Sequence, residues 1–346
     1  MKKNNNRLVL IDILKILFAL FVFMRHSATM GGCKYPLIST DYLVEVNNVM
    51  MSAFFIISGF SLYYVYSKKK MDNISECMKF YKKRALSILP IYFLLMVLHF
   101  VFLESDLKLN IKLLPLEITG THSFFDGLFT FLHNGTTWFI SCIILSYFLY
   151  PYLQQLINYL DKKKRYYILG ILLLFLTYLG FAFNWFSFNP YTNPLFRCME
   201  FTFGVVLCSV VDFSNRKINN KKYLFVFIIL LILMFVIVYL DIRILGILSK
   251  YLLLGLMIYI ASKYVTSDNK ISRGIFTLSK MTYAFYILQD LIWNKNKVLN
   301  SKIRLIENNY LRIGVFFIIL LAMSIIVTFV YQKYVIKYFL RKDAKR

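Results

Sequence analysis

Long apolar runs broken by short charged segments recur from one end of the chain to the other. A helix rising about 1.5 Å per residue needs roughly 20 apolar residues to cross the hydrocarbon layer of a bilayer. The runs predict about ten such helices, near 8–27, 48–66, 86–103, 138–156, 166–183, 196–211, 223–240, 244–262, 275–293 and 311–332. The connections alternate in charge. KKNNNR at the start, 67–84, 161–165, 215–222, 263–280 and the terminal KYVIKYFLRKDAKR are basic and hold most of the 41 Lys and Arg. Basic connections stay on the cytoplasmic side. Six of them alternating with five poorer ones require an even number of crossings and put both termini in the cytoplasm. The expected fold class is therefore all-α, a polytopic membrane helical bundle forming a single domain over residues 1–346. About 8–332 would be embedded, with 333–346 a basic cytoplasmic tail.

The first run, RLVLIDILKILFALFVFMRHSA at 7–28, departs from this greasy pattern. It carries Asp12, Lys15 and His26. At about 100° per residue, Lys15 and His26 return to nearly the same azimuth after eleven steps, with Asp12 about 40° to one side. Ionisable groups are costly in lipid, so such a face turns to a protein interior or a wet cavity and marks function by default. Asp12 and Lys15 also suit a structural pair at the membrane edge. On the non-cytoplasmic side, 29–47 and 104–137 are the longer connections, and FFDGLFTFL at 124–132 reads as a re-entrant or interfacial segment. No internal repeat is visible, which disfavours an inverted-repeat transporter.

Composition supports the membrane reading. The 346 residues are 59% hydrophobic and 18% aromatic, with mean hydropathy +0.61, beyond the usual apolar share of a soluble domain. A net charge of +24 suggests nucleic acid at first sight, but the basic residues sit in short clusters between apolar runs. The N-terminus lacks a small-x-small cleavage site and is interrupted by Lys15, so it does not read as a cleavable signal. Cys33, Cys77, Cys142, Cys198 and Cys208 are scattered without metal-ligand spacing and suggest no metal.

Other residues stand out by position. The second run, MSAFFIISGFSLYYVY, holds Ser58 and Gly59; Gly59 reads first as a packing notch. Lys83 and Arg84 precede ALSILPIYFLL, where a guanidinium suits bidentate phosphate binding or simple positive-inside anchoring. Trp138 opens the fourth run, where an aromatic-belt residue is the usual explanation. Arg197 and Glu200, three apart on one helix face, are positioned to pair.

Taken together, D-x-x-K-x10-H in the first run, FFIISGF, KKRALSILPIYF, WFISCIILSYFLYP, RCMEFTFGVVLC and LSKMTYAFYILQD resemble the integral-membrane acyltransferase-3 family across nearly the whole chain. The resemblance implies a membrane-bound O-acyltransferase of the plasma (inner) membrane, with acetyl the expected group. The donor would be cytoplasmic acyl-CoA as co-substrate, with no tightly bound cofactor. The acceptor would be a hydroxyl of a cell-surface polysaccharide or its lipid-linked precursor. His26 matches the family's catalytic histidine, with Asp12 and Lys15 completing the catalytic face. Lys15, Lys83 and Arg84 fall at donor positions, and Ser58, Trp138, Arg197 and Glu200 at candidate substrate contacts. Lys15 stands where Arg is usual, Ser87 where a second basic residue is usual, and Gln289 where many members have His. No soluble esterase-like domain follows the last run, so transfer would be completed by the membrane domain or by a separate envelope partner. His26 and Lys15 lie about 16 Å apart along the axis and would address opposite ends of an extended donor. The rival reading is a transporter or flippase of an envelope glycan precursor; a non-catalytic sensor or assembly subunit ranks below it.

Overall fold

A computed structural model describes residues 7–36, 38–102, 107–125, 135–185, 189–214, 218–240, 243–295 and 297–343. The helices run in the order α1 Val9–Thr29, α2 Thr40–Tyr66, α3 Ile74–Phe102, α4 Leu107–Thr119, α5 Trp138–Tyr159, α6 Lys162–Trp185, α7 Pro194–Val210, α8 Lys221–Leu240, α9 Arg243–Lys263, α10 Lys270–Ile287, α11 Lys297–Arg304, α12 Asn309–Ile325 and α13 Gln332–Asp343. Two π turns, Leu291–Lys295 and Ile326–Tyr331, follow α10 and α12. Among the described residues there are no strands, only isolated bridges. Most of the segment expected at 124–132 lies outside the described residues.

Each of the ten apolar runs falls on a helix, and among the described residues six helices are long and apolar enough to cross a membrane. The others are diluted or shortened by what they carry. Asp12, Lys15 and Arg25 all lie on α1, and α7 has 17 residues. Starts are set locally: Asn193 accepts from Leu195 and Phe196 N–H with Pro194 next, and Asn269 forms a capping box with Ser272. The apolar sides of α6 and α8 face outward, with Leu174 at 66% and Phe225 at 65% exposure. Such surface is costly in water and at home in lipid. Most of the segment 333–346 is the helix α13, whose Lys333, Ile336 and Lys337 line a cavity.

At the centre, α1 packs between α2 and α10. A clasp fixes its start: Arg7 and Thr266 exchange backbone hydrogen bonds of 3.2 and 3.3 Å, and Arg7 Nε donates to Asp268 at 2.9 Å. Arg273 and Arg7 hold the Asp268 carboxyl below the usual carboxylate range. From that start α1 and α10 run in the same direction, pairing Asp12 with Ser279 and, further along, His26 with Gln289. The most extensive contact joins α2 to α7, also running the same way. There Gly59 meets the Phe201 carbonyl and Gly204 meets the Ile56 carbonyl so closely that a Cβ on either would overlap backbone. The packing notch read for Gly59 is thus a backbone-to-backbone contact.

Backbone cannot step aside as a flexible side chain can. Gly59→Ala and Gly204→Ala are therefore expected to destabilise the protein by about 1–3 kcal/mol, as overpacking usually does. Thermal unfolding in detergent checks this; a wild-type midpoint in both variants would mean the helices separate freely.

Candidate active site

The polar face of α1 is real but serves two places. Near its start, Asp12 accepts from Ser279 Oγ at 2.9 Å and lies 3.4 Å from Lys15 Nζ. Near its end, His26 is 5% exposed, and its Nδ1 lies 2.7 Å from Gln289 Oε1. An amide oxygen only accepts, so this contact calls for the proton on Nδ1 and leaves Nε2 with a lone pair. The other end of the amide, Gln289 Nε2, is buried without a hydrogen-bond partner.

Between these ends lies a cavity of about 1030 Å³, walled by α1, α2, α3, α5, α10, the second π turn and α13. Lys15, Arg84, Lys280, Lys333 and Lys337 line it, and no carboxylate does. By helix direction the cations gather where the basic connections are. Met51, Phe139 and Tyr286 line the other end. Arg84 gives one hydrogen bond to Tyr66 OH at 3.4 Å, while its Nε is buried and unpartnered. Thr328 Oγ1, on the π turn in the cavity wall, is likewise buried without a partner. π turns are often found at functional sites. The cavity is somewhat above the usual range for a ligand site of about 300–1,000 Å³. Unanswered donors and cations equip it for an extended, anionic ligand.

His26 does not line this cavity. The link is α10 and the residues just after it: Tyr286 lines the cavity, and Gln289, two residues beyond the end of α10, holds His26.

The structure sorts the residues singled out in the sequence. Lys15, Ser58 and Arg84 share the cavity wall, though the Ser58 hydroxyl is spent on Phe54 O at 2.6 Å. Lys83 does not line it; its ammonium lies 5.8 Å from the Tyr66 ring centroid. Arg197, Glu200 and Trp138 form a separate buried cluster. Arg197 Nη1 donates to Glu200 Oε2 at 2.7 Å and to Ser52 Oγ at 3.1 Å, and its Nε to Tyr191 O at 2.9 Å. Tyr251 OH donates to Glu200 Oε1 at 2.7 Å. Phe55, Trp138 and Tyr191 present their rings to the guanidinium at 5.3–5.6 Å. Trp138, 2% exposed, belongs to this cluster rather than to an interfacial belt.

Three kinds of residue escaped the sequence. Lys280, Lys333 and Lys337 had been absorbed into the positive-inside count, yet they supply the cations that Ser87 does not. Gln289, noted only as a missing imidazole, proves to be the partner of His26. Arg25 gave no periodic signal, lying about 100° around the helix from His26.

Compared with known proteins, residues 8–333 match the family model of an acyltransferase domain. No curated protein and no solved structure matches the chain.

The Arg197–Glu200 pair is 3% and 0% exposed, so removing one partner strands a charge. Arg197→Met or Glu200→Met alone is expected to cost about 3–5 kcal/mol, and the double variant to regain much of it. Unfolding midpoints of the two singles and the double check this; additive losses would mean the two charges act independently.

Proposed function

This chain belongs to the acyltransferase-3 family, and on that premise we propose that it is an O-acyltransferase, with acetyl the expected group. Acyl-CoA is the donor we assign, entering from the cytoplasm, and a hydroxyl of a cell-surface polysaccharide or its lipid-linked precursor is the acceptor. The supporting observation is the cavity: five cations, no carboxylate, and a path along α10 to within one turn of His26. Coenzyme A carries its phosphates at one end and its thioester at the other. The cations of α1, α3, α10 and α13 suit the first end, and the apolar end at Met51, Phe139 and Tyr286 suits the second.

In this reading the Nε2 lone pair of His26 takes the proton of the acceptor hydroxyl. The oxygen forms its bond to the thioester carbonyl carbon, the carbon–sulfur bond breaks, and the thiolate leaves with a proton returned by the imidazolium. Gln289 keeps the ring in the tautomer that can act as base. Asp12 holds Lys15 on the cavity side, where its charge faces the donor. Trp138, Arg197 and Glu200, fully engaged with one another and with Tyr191 and Tyr251, support the reacting end from behind rather than touching it. We assign the protein to the plasma membrane, and the basic connections support cytoplasmic termini.

The deciding experiment is mass spectrometry of envelope glycans from cells with and without the protein, together with transfer of label from acetyl-CoA in membranes. Label moved into glycan, lost with the protein, is expected. Glycan that changes sides without covalent change would overturn the reading in favour of a flippase.

His26→Ala is expected to lower transfer by 10²–10⁴-fold while leaving protein level and insertion intact, the usual contribution of a general base. A variant keeping more than a few per cent of wild-type turnover would sink the base assignment.

Lys15 is expected to tolerate Arg, which keeps its charge. Lys15→Met leaves Asp12 with Ser279 alone and should impair folding or turnover. Adding Asp12→Asn removes the stranded carboxylate but keeps an acceptor for Ser279. The double variant should regain protein level without regaining turnover. Restored turnover would make the pair purely structural.

A further inference from the structure

Apart from the lysines of the cavity lining, several cationic side chains near or within the bundle are answered. Arg7 pairs with Asp268 and Arg197 with Glu200. Lys15 lies beside Asp12, and Arg84 reaches Tyr66 OH. Arg312 is bound to the carbonyls of Gly32, Ile306 and Glu307. Arg25 has no such partner among the described residues, and its Nε is buried. No ion pair joins it to a carboxylate there.

Its position gives this unpaired charge a use. Arg25 directly precedes His26 on α1 and lies within electrostatic reach of both the His26 ring and the Tyr286 hydroxyl. Tyr286 lines the cavity at the end away from the basic cluster. Gln289 Nε2, on the residue that holds His26, is the second buried donor without an acceptor. A base thus stands beside two unanswered N–H donors, at the place where the cavity comes closest to it. Burying donors unpaired costs free energy, about 1–3 kcal/mol for each and more for a charged one, so the fold carries them against its own stability.

We propose that Arg25 binds the carbonyl oxygen of the acyl group and holds it as an oxyanion, with Gln289 Nε2 as second donor. The inference rests on the acyl-transfer reading above. When the acceptor oxygen bonds to the thioester carbon, the carbonyl π electrons pass to oxygen. That negative charge meets a guanidinium that stays protonated even when desolvated. When the tetrahedral species collapses, the electrons return, the carbon–sulfur bond breaks, and Arg25 is unpaired again. An arginine permanently engaged by a carboxylate could not do this; the missing partner is what frees it for the reaction.

The test uses the full-length protein in phospholipid nanodiscs, with acetyl-CoA as donor and either water or envelope membranes as acceptor. Rates of CoA release are taken per folded molecule, and coenzyme A binding is measured in parallel. Arg25→Gln is expected to lower kcat by about 10²–10³-fold with both acceptors, the loss typical of one oxyanion donor, while coenzyme A binding stays within about twofold of wild type. Arg25→Lys keeps the charge but not Nε and should fall between. Wild-type rates in both variants, or a loss explained entirely by folded-protein level, overturn the inference and leave the acyl-transfer reading standing. So does a loss confined to envelope membranes with hydrolysis intact, which would assign Arg25 to an anionic group of the acceptor. A wild-type protein that neither binds coenzyme A nor releases it from acetyl-CoA brings down the acyl-transfer reading itself.

Discussion

A charge carried into an apolar layer must be answered within the protein, because no water is there to do it. This constraint organises the bundle more than any single packing contact. It turns the ionisable residues of α1 toward α2 and α10 and leaves lipid to the uncharged sides of α6 and α8. It builds the Arg197 cluster, in which Glu200, Ser52 and Tyr191 accept hydrogen bonds from the guanidinium and Tyr251 donates one to Glu200. Packing then serves the same end. The glycine contact of α2 with α7 brings backbones together and places Ser52 within 3.1 Å of Arg197 Nη1.

What the constraint forbids elsewhere, the cavity does. Five cations share one lining without a carboxylate among them, an arrangement that like-charge repulsion disfavours unless solvent or a ligand screens it. Three of them come from α10 and α13, far from α1 in sequence. Lys333 and Lys337 line the cavity from α13 while remaining exposed, so solvent reaches its basic end.

Much of this was legible beforehand, and the reasons for the rest are physical. Apolar runs located ten helices because hydrophobicity is a local property. Helical periodicity located the face bearing Asp12, Lys15 and His26. That face looked single because helical periodicity reports azimuth and not depth: about 16 Å separates Lys15 from His26, enough to put them in different surroundings. Charge counting placed Lys280, Lys333 and Lys337 on one side of the bilayer but could not say which way each side chain turns. Trp138 looked interfacial because it begins a helix; burial depends on the helices around it, and those come from distant sequence. Arg25 was invisible because what distinguishes it is an absent partner, a property of the whole fold.

The separation of the two ends also explains why one helix cannot make the site. α1 carries Lys15 on the cavity wall near one end and His26 near the other, and a rigid helix cannot bring them together. α10 bridges the interval by running beside α1 in the same direction: Ser279 meets Asp12, Tyr286 lines the cavity, and Gln289 meets His26. Two parallel helices in register measure out a fixed length, and a ligand long enough to span it is held at both ends. A thioester joined by a long arm to a phosphate-bearing head has that shape. On the reading proposed above, binding energy collected by the cations at the head fixes the position of the carbonyl near His26 and the two unanswered donors.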